Sequence, residues 1–188
     1  MKTITFIPKE FNNIQLGYNE DCETLCSPEY PNGLRKLNIN TIAINVPKKI
    51  ICVGNEDDYM PVIPICIAYI ISDLRGLKYA HLSAKMAHIK KVNEDGEFLG
   101  EIYNKNMDNE YPAPSSYPEE AQNNRLKKMA EVQNYSDEEL NKGQAGGGFF
   151  NLNLMEYIDM PFVAGFYEIC VTHYGLESNR AIVEIIIE

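Results

Sequence analysis

Five cysteines and three histidines are the first places to look for chemistry in this 188-residue chain. Cys22 and Cys26 stand four apart, a spacing that zinc sites use when a second close Cys or His pair completes the tetrahedron. The only histidines are His81, His88 and His173, and no second close pair of cysteines exists among Cys52, Cys66 and Cys170. A disulfide across Cys22 and Cys26, in an oxidising compartment, accounts for the pair at least as well. The odd cysteine count otherwise reads as reduced thiols, with Cys52, Cys66 and Cys170 serving as small hydrophobes inside strand-like runs. Any of the histidines could act as base to a Cys or Ser nucleophile. However, the chain has no Gly-x-Ser-x-Gly elbow, His-Glu-x-x-His pair or phosphate loop. No catalytic, metal-binding or cofactor-binding residue is therefore assigned, and no cofactor is expected.

Two weaker groupings remain. Glu56-Asp57-Asp58 could put carboxylates on a calcium ion, but it lacks the spaced alternation of a dedicated loop and reads as solvated charge. The aromatic residues are tyrosine-heavy, with twelve Tyr, seven Phe and no Trp. Tyr103, Tyr111, Tyr117 and Tyr135 fall in or beside one acidic, Pro-bearing stretch, where amphipathic rings suit a contact surface. These four are the candidate partner-binding residues.

The elements that would carry these residues are mostly strands. In 166–172, Tyr167, Ile169 and Val171 share one face while Glu168 and Thr172 take the other; Val183, Ile185 and Ile187 alternate with Glu184 and Glu188 in the same way. This period-two pattern is that of a half-buried antiparallel strand. Residues 2–8, 37–46, 49–53, 62–71 and 97–103 read as further strands. Segment 78–92 carries both helical and strand signals, and a strand is preferred because Asn93–Gly96 resembles a hairpin turn that needs a partner on its near side. Residues 104–148 change character. A Pro-rich run leads into a helix over 119–133, then a capping box at Ser136-Asp137-Glu138-Glu139, then the glycines of 143–148, which read as a flexible hinge. Domain organisation is thus one domain over 1–188, with an acidic, partly helical, mobile insertion at 104–148.

The pattern Pro161, Ala164-Gly165-x-Tyr167-x-Ile169-x-Val171, Ser178-Asn179 and a final hydrophobic strand resembles the closing hairpin of immunoglobulin-like and fibronectin-like domains. The resemblance covers about a quarter of the chain and implies an antiparallel immunoglobulin-like β-sandwich of seven to nine strands. It carries over no functional residues.

Charge narrows the partner. The formal net charge is −10, and the first 50 residues balance at +1, so the remainder carries −11. Such acidity opposes nucleic-acid binding and suits a basic protein partner. No run reaches the length of a membrane span, and the N-terminus lacks a secretory h-region, so a cytoplasmic location, or export by a signal-independent route, is the expectation. The expected function is non-enzymatic protein binding, as an inhibitor or immunity-type protein or an accessory subunit. The alternative is a carbohydrate- or ligand-binding sandwich, with or without calcium, and a Cys- or His-dependent hydrolase is the third class.

Overall fold

A computed structural model describes residues 3–13, 37–54, 61–103 and 118–188. Cys22, Cys26, Glu56–Asp58, Tyr111 and Tyr117, for which the sequence raises expectations, lie outside these residues.

The described chain is mostly β. In order it forms β1 (Thr3–Ile7), a 3-10 turn (Lys9–Asn13), β2 (Thr41–Asn45), β3 (Lys49–Val53), β4 (Pro64–Ser72) and α1 (Asp73–Lys78). A second 3-10 turn (Ala80–Leu82), β5 (Lys85–Lys91), β6 (Phe98–Ile102), α2 (Glu119–Val132) and α3 (Asp137–Leu140) follow. The chain closes with β7 (Ala145–Asn153), β8 (Gly165–His173), β9 (Leu176–Glu177) and β10 (Ala181–Ile187). One sheet has the order β1-β3-β10-β8-β5-β6, with β9 paired to β8, and a smaller one has the order β2-β4-β7. No described helix is long and apolar enough to cross a membrane.

A single buried cluster draws on both sheets. Ile42 and Ile44 of β2, Ile65 and Ile67 of β4, and Phe150 and Leu152 of β7 meet Ala87, Ile89, Tyr167, Ile169, Val171, Val183 and Ile185 of the larger sheet. The alternation seen in sequence fixes this side: odd residues of β8 and β10 turn inward, leaving Phe166, Glu168, Thr172, Ile182 and Glu184 facing out. β4 is covered on its other face too, where Cys66 packs against Phe11. Hence its nearly unbroken apolar run.

Three expectations are corrected. The sheets are not wholly antiparallel, since β10 pairs with β3 in parallel, Ile185 opposite Ile50 and Ile187 opposite Cys52. Period-two alternation fixes which face a side chain takes, but not the direction of the neighbouring strand. Segment 78–92 is not strand throughout, because helical turns occupy 73–82 and strand begins only at Lys85. Ser72 caps α1 by accepting from the Arg75 N–H at 3.0 Å, which commits the chain to helix. Finally, Gly146–Gly148 are not a hinge, since they pair with Ile71, Ile70 and Tyr69 inside β7. The Tyr69 ring lies across Gly148, where a Cβ would stand 3.0 Å from the phenolic oxygen.

The helical expectations at 119–133 and Ser136 correspond to α2 and α3. Both halves of the capping box form, and Val132 and Leu140 are fully buried. The closing turn is tighter than its glycine and polar content implied. Tyr174 (φ 48°) and Gly175 (φ 70°) make a two-residue turn between β8 and β9, with His173 opposite Leu176.

Strand edges are finished unequally. The Asn12 side chain accepts from the Phe6 N–H at 3.1 Å and so blocks the edge of β1. Asn179 does the same for β2 at both groups of Ile44, accepting from its N–H at 2.8 Å and donating to its carbonyl at 3.1 Å. An amide side chain here takes the place of a neighbouring strand.

Candidate functional site

The best-organised polar chain lies on the outer face of the larger sheet. β5 turns Ala87 and Ile89 into the core and His88 outward, opposite Cys170 of β8 and Leu99 of β6. His88 Nδ1 lies 3.2 Å from Glu97 Oε1, and Nε2 lies 3.1 Å from Thr172 Oγ1. A carboxylate only accepts, so Nδ1 donates to Glu97, and in the neutral ring Nε2 is then the acceptor for the threonine hydroxyl. The geometry is that of an oriented base beside a hydroxyl.

Cys170 sits directly across from His88, but burial, with Glu177 adding to it, pushes its thiol pKa up. It is held as the thiol, a poor nucleophile. On the same face Arg180 bonds Glu168 at 2.7 Å and Glu177 at 2.9 and 3.0 Å, and these carboxylates raise its pKa further.

Beside Thr172 opens a cleft of ≈ 480 Å³, lined by His81, Leu82, Met86, Thr172, His173 and Glu177 among others. His173 belongs to the inner face, against the edge of Tyr69 (5.5 Å between ring centres) and tilted on Tyr174 (4.2 Å). Desolvation, and then the Lys85 ammonium, lower its pKa to about 4, while backbone groups of Ala84 and Ser83 oppose the shift. The ring is therefore neutral at pH 7, and its buried Nδ1 has no partner among the described residues. Burial also lowers the Lys85 pKa, where the ammonium lies 5.6 Å from the Tyr69 ring centre and 5.7 Å from that of Phe150.

The other inward polar anchor is Arg75. It donates to the carbonyls of Tyr174 (3.2 Å) and Gly175 (3.4 Å) and to Asp137 (3.2 Å), with its guanidinium 4.7 Å from the Tyr79 ring centre. One side chain thus ties α1 to α3 and to the β8–β9 turn.

The tyrosines singled out in the sequence are not brought together where they are described. Tyr103 is 51% exposed and meets Tyr157 edge-on at 5.7 Å, just past the Asn153 end of β7. Tyr135 is half-buried, and its carbonyl accepts from Lys78 Nζ at 2.7 Å, close to the Ala145 end. Nine strand residues separate the two ends, roughly 27 Å. Among the described residues no three His, Cys, Asp or Glu side chains converge on a metal-sized centre.

A second feature of the outer face escaped the sequence reading. Val92 (37% exposed) donates its N–H to the Phe166 carbonyl at 2.8 Å, setting its side chain beside Phe166 (51%). Ile182 (55%) is diagonal to Phe166 across the β8–β10 pairing. Both strands are half-apolar in sequence, and only the sheet order reveals that these outward residues adjoin. No family model, curated protein or solved structure matches the chain.

Proposed function

We propose that the protein is a non-enzymatic, protein-binding module on an immunoglobulin-like sandwich scaffold, acting as an inhibitor or immunity-type protein or as an accessory subunit. The observation that carries this reading is the exposed apolar group Val92, Phe166 and Ile182 on the outer face of the larger sheet. Adjoining exposed apolar side chains on a paired-strand surface mark contact with another macromolecule. The chain as a whole carries −10, which favours a basic partner. The Glu97–His88–Thr172 chain serves as a strap across β5, the β5–β6 turn and β8, and Cys170 stays protonated.

The cleft beside His173 favours a second reading, a small-ligand site, which the same experiment separates. Wild type and a Phe166→Ser/Ile182→Ser variant are immobilised and exposed to extract of the source cells, and any retained protein is purified and its affinity measured at two salt concentrations. The expected result is one salt-sensitive partner, bound about tenfold or more weaker by the variant. Retention of no protein, together with a small molecule recovered from the wild type, would favour the ligand reading. Hydrolysis of an ester panel that disappears in His88→Ala would overturn the non-enzymatic assignment.

A further inference from the structure

We propose that Lys85, at the start of β5 and on its core-facing side, is an amine nucleophile that holds a small apolar aldehyde covalently as an imine. The inference goes beyond the binding-module reading and does not depend on it.

The strand register gathers the site. β5 turns Ala87 and Ile89 into the core, and Lys85 extends from the same side, opposite Ile102 of β6. Its Nζ lies 5.6 Å from the Tyr69 ring centre on β4 and 5.7 Å from that of Phe150 on β7. Those two rings meet edge-on, with centres 6.4 Å apart. His173 reaches the same Tyr69 ring from β8, at 5.5 Å between ring centres. An amine and an imidazole, carried by different strands, thus converge on one phenol ring. Gly148 stands opposite Tyr69 and leaves the room that this ring fills.

Its surroundings set Lys85 apart from the other lysines. Lys49 pairs with Glu184 at 2.7 Å, Lys91 with Glu94 at 2.6 Å and Lys128 with Asp73 at 3.4 Å, while Lys78 donates to the Tyr135 carbonyl at 2.7 Å. The remaining described lysines are exposed. Lys85 is half-buried and makes no hydrogen bond or ion pair to a described residue. Burial without a carboxylate lowers its pKa and so favours the neutral amine. The amine is still within reach of solvent. Among the described residues the sealed, unpartnered side-chain atoms are Asn151 Oδ1 and His173 Nδ1, and Lys85 Nζ is not one of them.

These circumstances suit condensation with a carbonyl compound. A neutral lysine adds its lone pair to the carbonyl carbon as the C=O π bond opens. The nitrogen then gives up both protons to the carbonyl oxygen, which leaves as water, and a C=N bond takes its place. Neutral His173, with its unpartnered Nδ1, stands at the same ring as a base for one of these protons. The Tyr69 and Phe150 rings favour an apolar body, and crowding by both favours an aldehyde over a bulkier ketone. Their exclusion of water also protects the imine from hydrolysis.

The test exposes the full chain to benzaldehyde at pH 7, with cyanoborohydride to reduce any imine to a stable amine, and locates the benzyl group by peptide mapping. Lys85 should be labelled at least about tenfold faster than exposed Lys90 or Lys127. Lys85→Arg keeps a cation against the two rings and should remove the fast-labelled site. His173→Gln should slow labelling at Lys85 and leave Lys90 unchanged, a split that general loss of folding would not give. If neither variant folds, the wild-type map decides the matter. Labelling of Lys85 no faster than that of Lys90 overturns the proposal. Fast acetylation of Lys85 by p-nitrophenyl acetate, with no imine trapped, overturns the carbonyl assignment. An unchanged rate in His173→Gln overturns the part given to the imidazole. Protein capture through Phe166 and Ile182 is read separately, so failure here leaves the binding-module reading intact.

Discussion

The inner and outer sides of the larger sheet present the same residue types in opposite circumstances. Inward, His173 is buried and neutral, and Arg75 is buried against the Tyr174 and Gly175 carbonyls at the end of the strand. Outward, His88 and Arg180 make comparable hydrogen bonds on a surface in contact with water. Burial turns the first pair into stability determinants, since an unpaired group inside costs its full desolvation. The second pair gains little beyond what water would supply. The outer face is therefore freer to vary for function at small cost to the fold, and Phe166 and Ile182 stand on that face.

The contrast is open to three perturbations of decreasing size. Arg75→Ala removes three hydrogen bonds and leaves Asp137 and two carbonyls without their partner, so it should lower unfolding free energy by about 3 kcal/mol, read by urea denaturation. A loss no larger than that of an outer-face substitution would erase the distinction.

The second perturbation is pH. The folded pKa of His173, about 4, lies below its ordinary value of 6.5. The unfolded chain therefore takes up the proton first as pH falls. The stability tied to a neutral His173 is fully present above pH 6.5 and is lost on the way down to pH 4, amounting to on the order of 3 kcal/mol. Comparing the urea midpoint of wild type and His173→Gln across this window isolates the contribution, because the carboxylates are common to both. Parallel pH profiles would show that the inner histidine is not held neutral by burial.

Smallest is His88→Ala. It removes two half-exposed hydrogen bonds and should cost about 1 kcal/mol, with Arg180→Ala smaller still and fading in high salt. A loss from His88→Ala as large as that of Arg75→Ala would place the strap among the determinants of the fold.

Which side each residue faces was legible in the sequence, because alternation encodes it: Tyr167, Ile169, Val171, Val183 and Ile185 are all buried as the pattern required. What alternation does not encode is partnership. The parallel pairing of β10 with β3 joins residues more than a hundred positions apart, and no local signal marks it. The same limit explains Gly146–Gly148, whose strand conformation depends on β4, and on Tyr69 in particular. Half of the His88 chain was within reach, since His88 and Glu97 flank the Asn93–Gly96 turn. Thr172 enters only through the β5–β8 register. The exposed group around Phe166 was hidden for the same reason.

The measurement that bears most directly on the central claim pairs stability with binding in Phe166→Ser/Ile182→Ser. The account expects a urea midpoint within experimental error of wild type and a partner affinity reduced about tenfold or more. An unchanged affinity, or a loss of binding that merely follows a loss of folding, would contradict it.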